Sequence, residues 1–231
     1  MKIRIIVPAN TTVFNQRIKD AVLPVLPPDV TLDVANITGG QPHIQNRTDL
    51  ATNAPYVIEL AKQTEKEGFD GIFVTDFDFC GVEQSRENVN IPVIGGFRPS
   101  ALMAISLSLK VGLITILGSV TAMQEQHFRN FGILENLACI IPIDVPVKKL
   151  SNKKIVIKKV HEKAKEAIQQ GAQSIILGCT GFIDIAQPVS KLLKADGYNI
   201  PVVDPNHAGV TFVIMLVRNK LMQSRLTYYK A

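Results

Sequence analysis

Apolar residues in this chain come in short unbroken runs, not in strict alternation with polar ones. Runs at 3–7, 31–34, 71–75, 93–94, 111–115, 139–143, 174–177 and 202–203 are rich in Val and Ile. Runs of that length and composition predict strands covered on both faces, as in parallel sheets. Between them lie amphipathic stretches. Residues 52–67 put Ala54, Val57, Ile58, Leu60 and Ala61 on one side, with Lys and Glu elsewhere; 154–170 do the same with Ile157, Val160, Ala164 and Ile168. Strands alternating with helices of this length predict an α/β fold built from right-handed βαβ units.

One pattern occurs twice. Gly68-Phe-Asp-Gly-Ile-Phe-Val-Thr-Asp76 is followed by Asn90-Ile-Pro-Val-Ile-Gly95, and Gly171-Ala-Gln-Ser-Ile-Ile-Leu-Gly-Cys179 by Asn199-Ile-Pro-Val-Val-Asp204. The openings match too: the runs at 3–7 and 111–115 both lead into loops of small and hydroxylated residues. The expectation is two pseudo-symmetric Rossmann-like lobes with parallel sheets and an active site in the cleft between them. Residues 1–97 plus 208–231 form the N-terminal lobe, and 98–207 the C-terminal lobe. A last helix at about 208–221 is expected to pack back onto the first half.

Composition narrows the functions. With 231 residues and 46% apolar content there is enough chain for two small cores. No apolar run reaches the ~18 residues of a membrane span, since 101–120 is broken by Lys110. Residues 2–7 read as a strand and not a signal peptide. The net charge is +5, but the basic stretch 148–165 carries few aromatics and reads as the solvated face of a helix, not a nucleic-acid surface. Cys80, Cys139 and Cys179 are too far apart for a disulfide framework or a zinc site. The expectation is a cytoplasmic protein without metal, membrane or nucleic-acid partner.

Ligands of open α/β sheets bind beyond the carboxyl ends of strands. Asp76 and Cys179 occupy matching positions there. Cys179, flanked by Gly178 and Thr180-Gly181, is expected just before a helix whose N–H groups favour thiolate; a buried structural Cys is the plainer alternative. Asp76 could be a reacting carboxylate or the cap of the next helix. Asn10, Thr11, Thr115, Thr180 and Gly181 are candidates for holding a substrate, with Asn10 to Thr12 also able to cap a helix from about Val13. Cys80 and His207 are auxiliary candidates, and each could equally be an ordinary loop residue. Cys139, between Ala138 and Ile140, reads as inert core. No P-loop, GxGxxG or GxSxG motif is present.

These residues resemble the aspartate/glutamate/hydantoin racemase superfamily, most closely its hydantoin and allantoin racemase branch. The likeness rests on Ile5-Ile-Val-Pro-Ala-Asn10-Thr11-Thr12, Ile91-Pro-Val-Ile-Gly95, Leu177-Gly-Cys179-Thr180-Gly181-Phe182 and Ile200-Pro-Val-Val-Asp204-Pro205, and covers nearly the whole chain. The resemblance implies cofactor-independent racemisation of a small carboxylate or cyclic ureide: one thiolate removes a proton from one face of a carbon acid, and a second thiol protonates the other. It also implies homo-oligomerisation.

This chain departs from that pattern. The position of the family's first cysteine holds Asp76, and the Asp-Pro that usually follows reads Phe79-Cys80. An ordinary carboxylate is a weaker base than a thiolate by ~4–5 pK units, or roughly 6 kcal/mol. Three readings follow. The first is a racemase or epimerase with Cys179 as acid/base and Asp76 opposite, Cys80 being a substitute for Asp76. The second is a one-cysteine decarboxylase or maleate-isomerase-like enzyme of the same superfamily. The third is a non-catalytic binder of small ligands.

Overall fold

The computed structural model describes residues 1–230. The chain divides into two compact units, one made of Met1–Pro99 with the segment from Asn206 onward, the other of Ser100–Pro205. The breaks therefore fall after Pro99 and Pro205, two residues from the sequence-based boundaries at 97 and 207.

The first unit holds a parallel sheet of β1 (Lys2–Val7), β2 (Thr31–Asn36), β3 (Gly71–Val74) and β4 (Val93–Ile94) in the order β2-β1-β3-β4. Ile3, Ile5, Ile6, Ile72, Phe73 and Val74 are wholly buried, which is why these runs show no polar alternation. On one face lies α2 (Arg47–Lys66), started by Asn46, whose side chain accepts from the Asp49 amide. It buries Asn53, Val57, Ala61 and Thr64 along a single stripe. With Ile37, Val82 and Val93 this face forms a continuous apolar core. Also in this unit are α1 (Asn15–Val22) and the short α3 (Val82–Asn88).

The C-terminal helix, α8 (Pro205–Arg218), packs onto the same unit, as the sequence predicts, but begins three residues earlier than expected. Glycines set the approach. A Cβ at Gly71 would press on Val213 and Val217, and one at Gly209 would overlap the ring of Phe73.

The second unit repeats the plan. Its strands β5 (Val111–Thr115), β6 (Leu137–Pro142), β7 (Ser174–Leu177) and β8 (Val202–Val203) run parallel in the order β6-β5-β7-β8. The break after Pro99 falls inside α4 (Phe97–Ile105). The remaining helices are α5 (Thr121–Asn130), α6 (Lys153–Gln169) and α7 (Ala186–Ala195). In α6, Val156, Val160, Ala164 and Ala167 are buried, while Ile157 and Ile168, which the sequence reading set beside Val160 and Ala164, are only partly covered; Lys153, Lys154 and Lys158 are exposed. No helix among the described residues is long and apolar enough to cross a membrane.

Candidate active site

The two sheets place Asp76 and Cys179 at the same point of the same topology. In each, the central strand pair ends in register, Ile6 beside Val74 and Ile114 beside Leu177. Asp76 stands two residues past Val74, and Cys179 two past Leu177. The duplication seen in sequence is thus a duplication of structure.

Asp76 is 8% exposed. Its amide donates to the Val74 carbonyl and its carbonyl accepts from Gly96. Its Oδ2 accepts from the Cys80 amide at 2.9 Å, and the Asp78 amide also bonds to the carboxylate. Burial, reinforced by the nearby Asp78 charge, pushes the Asp76 carboxyl up to about 7, against the pull of the two amides. The carboxylate therefore ties down its own loop. It does not cap a helix, because the N-cap of α3 is Gly81, with no side-chain cap bond. The same loop carries Phe79 at φ 69, a conformation that bulky residues rarely adopt. Edge-to-face contact with Phe97, at 5.9 Å between centroids, holds its ring.

Cys179 is half-buried and keeps its thiol free of any disulfide. The expected helix does not follow it directly, since α7 starts only at Ala186. A turn through Gly181 and Asp184, the latter at φ 60, delays the helix. Electrostatic support for the sulfur is therefore local: the Gly181 amide donates to Sγ at 3.3 Å. The Phe182 amide closes the turn onto the Cys179 carbonyl. Gly181 also fits beneath Leu150, where a Cβ would come within 2.8 Å of Leu150 Cδ1. An ion pair of 2.6 Å joins Lys153 to Asp184 in the same turn.

The other sequence-derived candidates fare differently. Thr180 sits in the Cys179 turn at 9% exposure. Thr115 ends β5, paired with Pro142 of β6, and is fully buried, with a hydroxyl that has no hydrogen-bond partner. Asn10 and Thr11 lie in the loop after β1, but α1 begins at Asn15 with Phe14 as an unassisted N-cap, so neither caps it. Asn10 instead bonds the loop after β2, through Gln41 and Gly40. Cys80 is 2% exposed in the core, with its thiol toward the Leu50 carbonyl, and burial and the Asp76 charge hold it above the ordinary thiol range. His207 lies inside α8, its Nε2 2.7 Å from the Ala21 carbonyl. Cys139 is half-buried, and burial raises its thiol to about 11.

Three buried amides escaped the sequence reading. Asn53 donates to the Pro8 and Gln41 carbonyls and accepts from Gln41, fixing the loops after β1 and β2 against each other. Thr75 donates to Asn206 Oδ1, and Gln124 to the Gly178 carbonyl, both at 2.9 Å. Within a helix, an Asn or Gln reads as solvated unless its neighbours are known. Among the described residues, no group of three or more His, Cys, Asp or Glu could hold a metal ion.

A family model described as Asp/Glu/Hydantoin racemase matches residues 3–213. Over 232 residues the chain is 26% identical to a hydantoin racemase of Pseudomonas sp. (strain NS671), covering 100% of this chain and 91% of that protein. A hydantoin racemase of Rhizobium meliloti is 26% identical over 234 residues, covering 99% and 94%. Among solved structures, allantoin racemase from Klebsiella pneumoniae superposes with a TM-score of 0.91 at 26% identity, covering 97% of this chain and 91% of that one. Arylmalonate decarboxylase shares the fold, with a TM-score of 0.67 at 16% identity over 94% and 92% of the two chains.

Proposed function

Because the chain belongs to the Asp/Glu/hydantoin racemase family, we propose that it is a cofactor-independent racemase or epimerase of a small cyclic ureide or carboxylate, with Cys179 and Asp76 as its two acid/base groups. The observation that carries this reading is their equivalence, two residues beyond the matching strands β7 and β3. Relatives named hydantoin racemase and allantoin racemase point to a five-membered ureide as the first substrate class to try.

The chemistry is a pair of proton transfers. The Cys179 thiolate takes the proton from the α-carbon, and the C–H electron pair moves into the adjoining carbonyl as an enolate. Asp76, as the carboxylic acid, then delivers a proton to the opposite face. For the other enantiomer the roles reverse: the Asp76 carboxylate abstracts and the Cys179 thiol donates. Such a pair works best when both groups titrate near the working pH. An ordinary Asp fails that condition, but a carboxyl held at about 7 lies within roughly 1.5 units of a free thiol. Thr180 and the Gly181 amide are candidates for holding the developing oxyanion. Asn10, Thr11 and Thr115 remain candidates for binding the rest of the substrate, Thr115 only if its buried hydroxyl becomes accessible. The scheme does not call on Cys80, which is buried, or on His207, whose Nε2 meets the Ala21 carbonyl.

The amide bonds to the Asp76 carboxylate favour a second reading. In it Asp76 only organises its loop and Cys179 works alone: a malonate loses carbon dioxide by C–C cleavage, and the Cys179 thiol protonates the resulting enolate on one face. Incubation in D2O with 5-substituted hydantoins, allantoin, aspartate and glutamate of both hands separates the two. Deuterium uptake with inversion, abolished in Cys179→Ser, supports the racemase. Carbon dioxide release from malonates, without exchange on the first panel, supports the one-thiol enzyme.

A further inference from the structure

Two amide side chains stand directly behind the proposed acid/base groups, and each is 1% exposed: Gln124 and Asn206. Gln124 Nε2 donates to the carbonyl of Gly178, the residue before Cys179. Asn206 Oδ1 accepts from the hydroxyl of Thr75, the residue before Asp76. Thr75 and Gly178 are themselves equivalent, each one step past the register pairs Ile6–Val74 and Ile114–Leu177.

The two amides come from unrelated places. Gln124 is on α5, while Asn206 is in the first turn of α8. Duplication therefore explains the matched strand ends but not the matched anchors. Burying a primary amide is unfavourable unless its hydrogen bonds are needed, and an aliphatic side chain would fill either place. Resting on the proposed function above, we infer that Gln124 is a positioning residue for Cys179 and that Asn206, through Thr75, is its counterpart for Asp76.

The local geometry shows how Gln124 acts. The Gly178 amide is fixed by the Ile114 carbonyl at 2.7 Å, the Gly178 carbonyl by Gln124, and the Cys179 carbonyl by the Phe182 amide. The backbone on both sides of Cys179 is thereby held, and Sγ meets the Gly181 amide. Without the Gln124 donor the Gly178–Cys179 peptide can rotate, and the hydrogen bond that favours thiolate is made less often.

The test reads the thiol and needs no substrate, so it stays decisive even if the racemase reading fails. The full chain is treated with iodoacetamide across a pH series, and labelling of the Cys179 peptide is quantified by mass spectrometry. Gln124→Met keeps length and removes the donor; Gln124→Glu keeps length and polarity, as a second variant should the first not fold. Phe128→Leu, a wholly buried change on the same helix, is the control for general loosening. Both Gln124 variants are expected to move the labelling midpoint to higher pH and to slow labelling at pH 7.5 about tenfold, the scale of one hydrogen bond to a charged group. An unmoved midpoint in the folded variants overturns the inference, as does an equal shift in Phe128→Leu. For the other unit, the Asp76 carboxyl is titrated by 13C NMR. Thr75→Val is expected to move its midpoint and Thr75→Ser to restore it, and identical titrations in both remove Asn206 from the inference.

Discussion

The Cys80 amide donates to Asp76 Oδ2 across 2.9 Å, and both residues are more than nine-tenths buried. This bond makes the loop after β3 a closed unit around a carboxylate. Beside it, burial and the Asp76 charge raise the Cys80 thiol above the ordinary thiol range. The same carboxylate thus organises a loop and is the one proposed for proton transfer, and substitutions can separate the two roles.

Asp76→Asn keeps an oxygen to accept from Cys80 and cannot exchange a proton. Racemisation is expected to fall by about 10²- to 10⁴-fold, the usual weight of a general acid–base group. Deuterium uptake at the α-carbon of one enantiomer, driven by Cys179, should survive. Asp76→Cys should restore inversion. Chiral chromatography with proton NMR measures both. Inversion at the wild-type rate in Asp76→Asn would exclude Asp76 as the second base.

The raised carboxyl also sets a pH dependence of stability. Asp76 binds its proton more tightly folded, at about 7, than unfolded, near 3.8. Its contribution is therefore fully present below about pH 4 and is lost as the pH rises through 7. Asp76→Asn should be more stable than wild type at pH 8, and that advantage should shrink by pH 4. Urea denaturation at the two pH values measures it; a constant difference would mean the folded carboxyl is not raised.

The three thiols should differ sharply. At pH 7.5 Cys139, at about 11, holds thiolate in fewer than roughly one molecule in a thousand, and Cys80 holds still less. Half-buried Cys179, with the Gly181 amide on its sulfur, should be alkylated first. Peptide mapping after a short iodoacetamide pulse reads this, and prior labelling of Cys80 would contradict the burial described for it.

Gly209 tests the packing of α8. In an open helix Gly→Ala stabilises by about 1 kcal/mol. Here the new methyl would overlap the Phe73 ring, so the sign should reverse. A loss of about 1–3 kcal/mol is expected from overpacking, seen as a lower Tm. An unchanged or higher Tm would mean that α8 does not lie this close to β3.

The central strands β1, β3, β5 and β7 were legible because each is an apolar run with almost every residue buried, whereas β2 and β6, only partly covered, showed through their apolar stretches at 31–34 and 139–143. The matching of Asp76 with Cys179 was legible for the same reason. What depends on distant neighbours was not. The roles of Gln124 and Asn206 rest on carbonyl and hydroxyl partners dozens of residues away. The delayed start of α7 follows from the turn at Gly181 and Asp184, where a left-handed Asp is not announced by composition. The shifted acidity of Asp76 comes from desolvation, which a sequence cannot display.

The interruption of the first unit by the second has a consequence for how the chain comes to be folded. Ser100–Pro205 carries its whole sheet and its own helices in one stretch, so it can close its core as soon as it leaves the ribosome. The part made earlier cannot. Gly71 lacks its neighbours Val213 and Val217, and Phe73 its neighbour Gly209, until α8 has been made. Synthesis order is thus expected to run against folding order: the half that carries Cys179 can mature first, whereas the half that carries Asp76 is complete only once α8 has been made.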